Sequence, residues 1–256
     1  MKELTIIIPL KEYESSMGGF LDKAITSCGD NSIILVGKGV DNYEFTPKDR
    51  KTIIPTIKRI ENSSDDLSYQ HNVNMAVEQV KTEYFTVLEY DDEFSDVFCD
   101  AFKEYIGFEN ENIFGYLPLT EVVDNETKEI IGYANEAFWA SSFSERIGFV
   151  DIESLGEYLN FNTSGAIFKT DKFKELGGLK ESMKLVFWYE FLLRALYNGQ
   201  KIFVIPKVGY YHLVNRKGSL SEFYESTMSE DEADWWVDLA KKEYFFKNDR
   251  NKTYSE

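Results

Sequence analysis

Basic charge, cysteine, histidine and long apolar runs are all scarce in this sequence, and each shortage closes off a class of protein. Twenty-eight lysines and arginines stand against 45 acidic residues, a net charge of −17. Such a field repels nucleic-acid backbones and anionic membranes, so direct nucleic-acid binding is not expected. The two cysteines, Cys28 and Cys99, lie in apolar surroundings and read as reduced core residues, which excludes a disulfide framework or a cysteine metal knuckle. No apolar run approaches the ~20 residues of a membrane span. The opening Met1-Lys2-Glu3-Leu4 enters a strand at once, with no signal peptide. A soluble, cytoplasmic protein with no membrane partner is the expectation.

What is present is apolar and aromatic. Hydrophobic residues make up 43% of the 256 and aromatics 16%, enough for one substantial core, and no repeat or linker divides the chain. Its centre is Tyr84-Phe85-Thr86-Val87-Leu88, an unbroken aromatic and β-branched run that suits a strand covered on both faces. Four carboxylates follow within five positions: Glu89, Asp91, Asp92 and Glu93. On an extended backbone Glu89, Asp91 and Glu93 would lean one way and Asp92 the other. Carboxylates so close stay ionised together only beside a cation, and Mg2+ or Mn2+ would serve, with room left for phosphates. The bland alternative is an acidic, solvated strand exit.

Around this run the sequence reads strand, helix, strand, strand, helix, strand over about the first 110 residues. Strands are expected at Leu4–Ile8, Ser32–Val36 and Thr52–Ile57, and helices from Gly18 to about Cys28, behind an N-cap at Ser68, and over Asp96–Ile106. Continuous apolar strands alternating with helices argue for a mainly parallel α/β sheet. The second half is less regular. Asp124-Asn125-Glu126-Thr127 marks a hairpin, and Asn162-Thr163-Ser164-Gly165 leads into a short strand. Thr170 caps a helical turn ended by Gly177-Gly178, and Phe187–Asn198 forms a strong helix. Lys201–Pro206 and Gly209–Val214 are two further strands, and a last helix runs from Ser229 to about Lys247.

In this order, Leu4-Thr5-Ile6-Ile7-Ile8-Pro9, Ile33–Val36, Ser68–Ala76 with Asn72, Leu88-Glu89-Tyr90-Asp91-Asp92, Asn162–Gly165, Gly177-Gly178-Leu179 and Tyr189–Arg194 resemble the signatures of family 2 glycosyltransferases with a GT-A fold. No one motif is specific, but their order and spacing are. The acidic strand end and the Phe-Trp-Tyr-Glu helix are similar to versions from large viruses or phages, which would place the protein in a host cytoplasm.

The resemblance implies one GT-A domain over 1–256, with a nucleotide-sugar half (1–110), an acceptor half (111–221) and a C-terminal helix and tail (222–256). It implies a nucleotide-diphosphate sugar as donor, bound by Pro9, Lys11, Glu12, Lys38, Asn72 and Asp91. A divalent ion would sit on Glu89, Asp91 and His212, and an inverting transfer would use Glu190 or Asp92 as general base. The acceptor is left open among glycan, protein and modified nucleotide.

Two departures bear on activity. The family's paired aspartates after the second strand are Gly37 and Lys38 here, and its acidic pair before the helix arginine is Phe187 and Trp188. Glu190 is the nearest carboxylate, and it is equally the i,i+4 partner of Arg194. His212 is equally a strand-end cap, His71 a polar helix start, and Lys38 a solvated turn residue. Trp188 and Tyr189 are read either as a sugar-stacking wall or, for Trp188 above all, as core. Two rival functions remain beside transfer. One is a catalytically silent GT-A scaffold that binds carbohydrate or belongs to a particle. The other is a nucleotidyltransferase, which the loop Leu10-Lys11-Glu12-Tyr13-Glu14 disfavours because it lacks a glycine-rich basic character.

Overall fold

The computed structural model describes residues 4–49, 52–106, 112–157, 161–216 and 219–249. The opening Met1-Lys2-Glu3, Lys51 and the tail 250–256 lie outside them. The strands are β1 (Leu4–Glu12), β2 (Ser32–Lys38), β3 (Ile57–Glu61), β4 (Tyr84–Val87), β5 (Glu93–Phe94), β6 (Ile113–Asp124), β7 (Ile130–Ala134), β8 (Phe149–Val150), β9 (Ile167–Lys169) and β10 (Lys201–Val214). The helices are α1 (Gly18–Ser27), α2 (Tyr69–Glu78), α3 (Phe98–Tyr105), α4 (Ile152–Glu157), α5 (Thr170–Glu175), α6 (Phe187–Tyr197), α7 (Leu220–Thr227) and α8 (Glu230–Asp249).

One sheet runs through both halves in the order β3-β2-β1-β4-β9-β6-β10-β5, with β7 beside β6 and β8 beside β10. The first four strands are mutually parallel, with Leu4 opposite Tyr84 and Ile7 opposite Val87. Beyond β4 the direction reverses at β9, and β6 and β10 then run parallel to each other. The expectation for Tyr84–Leu88 holds: β4 is central and all four of its residues are buried. Its side chains divide between two cores. Phe85 and Val87 join Ile7, Ile34 and Val36 under α2, α5 and α6. Tyr84 and Leu88 join Ile6, Ile8, Ile33 and Leu35 under α1 and α3. Period-2 alternation with both sets buried, and apolar but for Thr86, is what a doubly covered strand requires, and each fully buried large apolar side chain contributes about 1.5–3 kcal/mol.

The Ser68 cap and the hairpin both form: the Ser68 hydroxyl accepts from His71 N at 3.3 Å, and β6 and β7 pair antiparallel. Three local expectations shift. β3 starts at Ile57, because Pro55 has no N–H for the ladder, and Ile53 and Ile54 are exposed. The two strands expected around Pro206 are one, β10, whose register slips on either side of Val208. Thr170 is the first residue of α5 and Lys169 occupies the cap. Among the described residues no helix is long and apolar enough to cross a membrane.

Candidate active site

β1 and β4 run side by side and their carboxyl ends open into a cleft of ≈ 1680 Å3. Parallel sheets place ligands there because strand ends and loop backbone are exposed where the helices peel away. Pro9, Lys11, Glu89, Asp91, Asp92, His212 and Arg216 all line it.

The acidic run does not continue as a strand. β4 ends at Val87, and Asp92 N bonds back to Glu89 O at 3.1 Å, closing a turn over Tyr90 and Asp91. The expected alternation of Glu89, Asp91 and Glu93 on one side is therefore overturned, and each carboxylate has its own destination. Glu89 Oε1 accepts from the Tyr69 hydroxyl at 2.6 Å. Asp91 pairs with Arg216 Nε, whose guanidinium also donates to the Tyr90 hydroxyl and lies over the Tyr90 ring. Glu93 enters β5 opposite Tyr211.

Asp92 is clamped. Its Oδ2 accepts from the Tyr210 hydroxyl and meets His212 Nδ1, each at 2.9 Å, and its Oδ1 accepts from Leu213 N at 2.8 Å. The Tyr210 hydroxyl in turn accepts from Glu89 N at 3.1 Å, so β10 and the acidic turn are locked together. Room for that ring explains Gly165. A Cβ there would stand 2.5 Å from Tyr210 Cδ2, and the backbone is left-handed at φ +72°.

Burial, with negative charge crowded around it, sets the electrostatics. Burial, then the charges of Asp92 and Asp91, push Glu89 up to about 8, against the hydrogen bond from Tyr69. Burial and then Asp92 raise Asp91 despite Arg216. Burial alone would lower His212, but its bond to Asp92 and the charges of Asp92, Glu89 and Asp91 outweigh it and the imidazole sits above its ordinary value.

Other sequence candidates fall elsewhere. Lys38 is closed onto Glu12 at 2.9 Å, both half exposed, and neither lines the cleft. Gly37 has φ +148°, and a Cβ there would lie 2.2 Å from Leu10 O, so no aspartate can stand in its place. Asn72 is fully buried. It donates to Leu10 O at 2.9 Å and accepts from Asn62 at 2.7 Å, bracing the end of β1 instead of meeting a ligand.

Glu190 is the clearest correction. It sits in the first turn of α6, as a base there would, yet it is fully buried and absent from the cleft lining. Its oxygens accept from Arg194 Nη2 at 2.9 Å, from Lys180 Nζ at 2.8 Å and from the Tyr244 hydroxyl of α8. Arg194 also donates to Gly178 O at 2.6 Å, so the pair fixes the Gly177-Gly178 turn. Phe187, Trp188 and Tyr189 face the cleft in its stead.

The donor atoms of Glu89, Asp91 and His212 share a wall but are not gathered as one ligand set. Among the described residues only Asp66, His71 and Glu181 bring their donor atoms within 4.8 Å of one another. Residues missed from sequence include Arg216, Tyr69 and Tyr210. The demand for a cation beside the carboxylates was a signal for Arg216, but nothing local pointed 125 residues onward to it.

No protein-family model matches the sequence, nor does any curated protein. Solved structures do. S. aureus TarS 1–349 in complex with UDP-GlcNAc is 15% identical with TM-score 0.56, over 95% of this chain and 73% of that one. TarS 1–349 in complex with UDP is 16% identical with TM-score 0.57, over 97% and 73%. S. aureus TarS, in a longer chain, gives 15% and 0.53 over 99% of this chain and 44% of that one. At such identities the likeness speaks to architecture, and this chain has a GT-A-like fold, a mixed, mostly parallel sheet flanked by helices.

Proposed function

We propose that this protein transfers a sugar from a nucleoside-diphosphate donor to an acceptor hydroxyl in the cleft above β1 and β4. The observation that carries it is the acidic turn Glu89–Asp92, set at the carboxyl end of the central strand of a fold whose solved likenesses include complexes with UDP and UDP-GlcNAc.

The residues fit a divalent cation by donor chemistry. Carboxylates buried and crowded until Glu89 holds a proton to about 8 form a site short of positive charge. Mg2+ or Mn2+ would be held by the carboxylates Glu89 and Asp91, while His212 stays on Asp92 and orients it. When bound, it would supply the positive charge that steadies a leaving diphosphate. The chain's own cations on the cleft wall, Lys11 and Arg216, add to that charge.

An inverting transfer needs one proton acceptor beside the acceptor oxygen. Of the two sequence candidates only Asp92 lines the cleft, and three hydrogen bonds hold it in place. Pro9 and Lys11 would meet the donor from the end of β1, whereas Glu12, Lys38 and Asn72 would act by shaping that end.

A second reading has one observation in its favour. α6 presents aromatics to the cleft and turns Glu190 away, as a scaffold that binds sugar without transferring it would. Thermal melts with UDP-GlcNAc, UDP-glucose and UDP, each with and without Mn2+, followed by product analysis, separate the two. Mn2+-dependent stabilisation with turnover supports transfer, stabilisation without turnover supports the scaffold, and no shift with any nucleotide overturns transfer.

A further inference from the structure

Beyond the acidic turn, the cleft is walled by aromatics. Tyr69, Phe161 and Trp188 line it part-exposed, and Phe223 of α7 lines it beside Lys11 with 52% of its surface open. The shelf is backed by ring packing: Phe161 stacks on Tyr189 with ring centroids 5.6 Å apart, and Trp188 lies flat on Phe168 at 5.6 Å and 13°. Aromatic faces beside hydroxyl and carboxylate groups suit sugar rings, whose C–H faces pack on an aromatic ring while their edges hydrogen-bond.

Charge decides which sugars. Besides Glu89, which holds its proton to about 8, the lining carries five carboxylates, Asp65, Asp91, Asp92, Glu126 and Glu181, against three permanent cations, Lys11, Lys184 and Arg216. Arg216 is engaged by Asp91, and Lys184 faces Glu232 at 3.9 Å. A donor diphosphate adds further negative charge to the same space. A phosphorylated or sulfated acceptor would enter against this field, while an uncharged one meets no electrostatic barrier.

We infer that the acceptor side of this cleft takes an uncharged carbohydrate, stacked on the Phe161–Trp188 shelf, with Phe223 lining the same cleft. This rests on the transfer reading for the word acceptor, and on the shelf and its charge for the ligand class.

The test uses the full chain and two independent titrations. The first is calorimetry with UDP-GlcNAc in Mn2+. The second is ligand-observed NMR and calorimetry with neutral tetrasaccharides of glucose, galactose, mannose or N-acetylglucosamine, and with a heparin tetrasaccharide as the polyanion. Each runs at about 0.01 M and about 1 M salt, between which the screening length falls from about 30 to about 3 Å.

The expected result is that a neutral tetrasaccharide binds with an affinity indifferent to salt while the heparin fragment does not. Trp188→Ala is expected to weaken that binding about tenfold. Because Trp188 also packs on the core, Phe223→Ala, at a half-exposed site, is the variant that keeps the fold and is expected to weaken binding several-fold. Tighter binding of the heparin fragment, or refusal of every neutral sugar, overturns the inference. With the donor bound, that refusal leaves transfer standing. A neutral sugar bound with the donor refused supports the shelf and overturns transfer, and refusal of both ligands overturns both readings.

Discussion

Replacing Glu190 by Gln separates a catalytic from a structural reading of the same residue. The amide keeps the shape and removes the charge. If Glu190 were the general base, transfer would fall about a hundredfold or more with stability unchanged. The structure argues for the opposite outcome. Glu190 is fully buried between Arg194, whose side chain is 13% exposed, and Lys180, at 31%. Losing one member of a buried ion pair costs about 3–5 kcal/mol, because the partner's charge is left without compensation. Lys180 can rehydrate, so the lower end, about 3 kcal/mol, is the expectation. For a chain of this size that is a fall in Tm of roughly 10 °C. Arg194 would also loosen its hold on Gly178 O, but the cleft wall of Phe187, Trp188 and Tyr189 points the other way. Scanning calorimetry, with UDP titrations well below the melt, measures both quantities. A variant with unchanged Tm, intact donor binding and a hundredfold loss of transfer would refute the reasoning and restore Glu190 as the base.

Three further outcomes are expected. Gly165→Ala, with φ +72° and a Cβ 2.5 Å from Tyr210, should cost about 2–3 kcal/mol in thermal melts and weaken donor binding by displacing the ring that clamps Asp92; a neutral substitution would remove Tyr210 from the account. Asp91→Asn should weaken UDP binding in Mn2+ about tenfold or more by calorimetry and leave the weaker binding seen in EDTA unchanged, whereas equal losses in both buffers would tell against a metal on Asp91. Gly37→Asp, which places there the aspartate usual in family 2 glycosyltransferases, should give a protein that melts far below the parent or fails to fold, since its Cβ would lie 2.2 Å from Leu10 O; improved uridine binding in a folded variant would contradict that.

Much of the scaffold was legible from residue order. Tyr84–Val87 is central because both alternating sets of its side chains, Thr86 apart, are apolar, and that is a property of the local run. Ser68 caps α2, and Asp124–Thr127 turns a hairpin, for reasons contained within a few residues. The Glu190–Arg194 pair was legible too, as an i,i+4 spacing, and it outweighed the analogy that made Glu190 a base. What the sequence could not decide is where each polar side chain finds its partner. Arg216 comes to Asp91 across 125 positions, His212 to Asp92 across 120, and Tyr244 to Glu190 across 54. Periodicity determines which face of an element is apolar, since that depends on neighbours along the chain. Charge pairing depends on which chain ends the folded sheet brings together, and the buried carboxylates settled that only once β10 and α8 had closed over them.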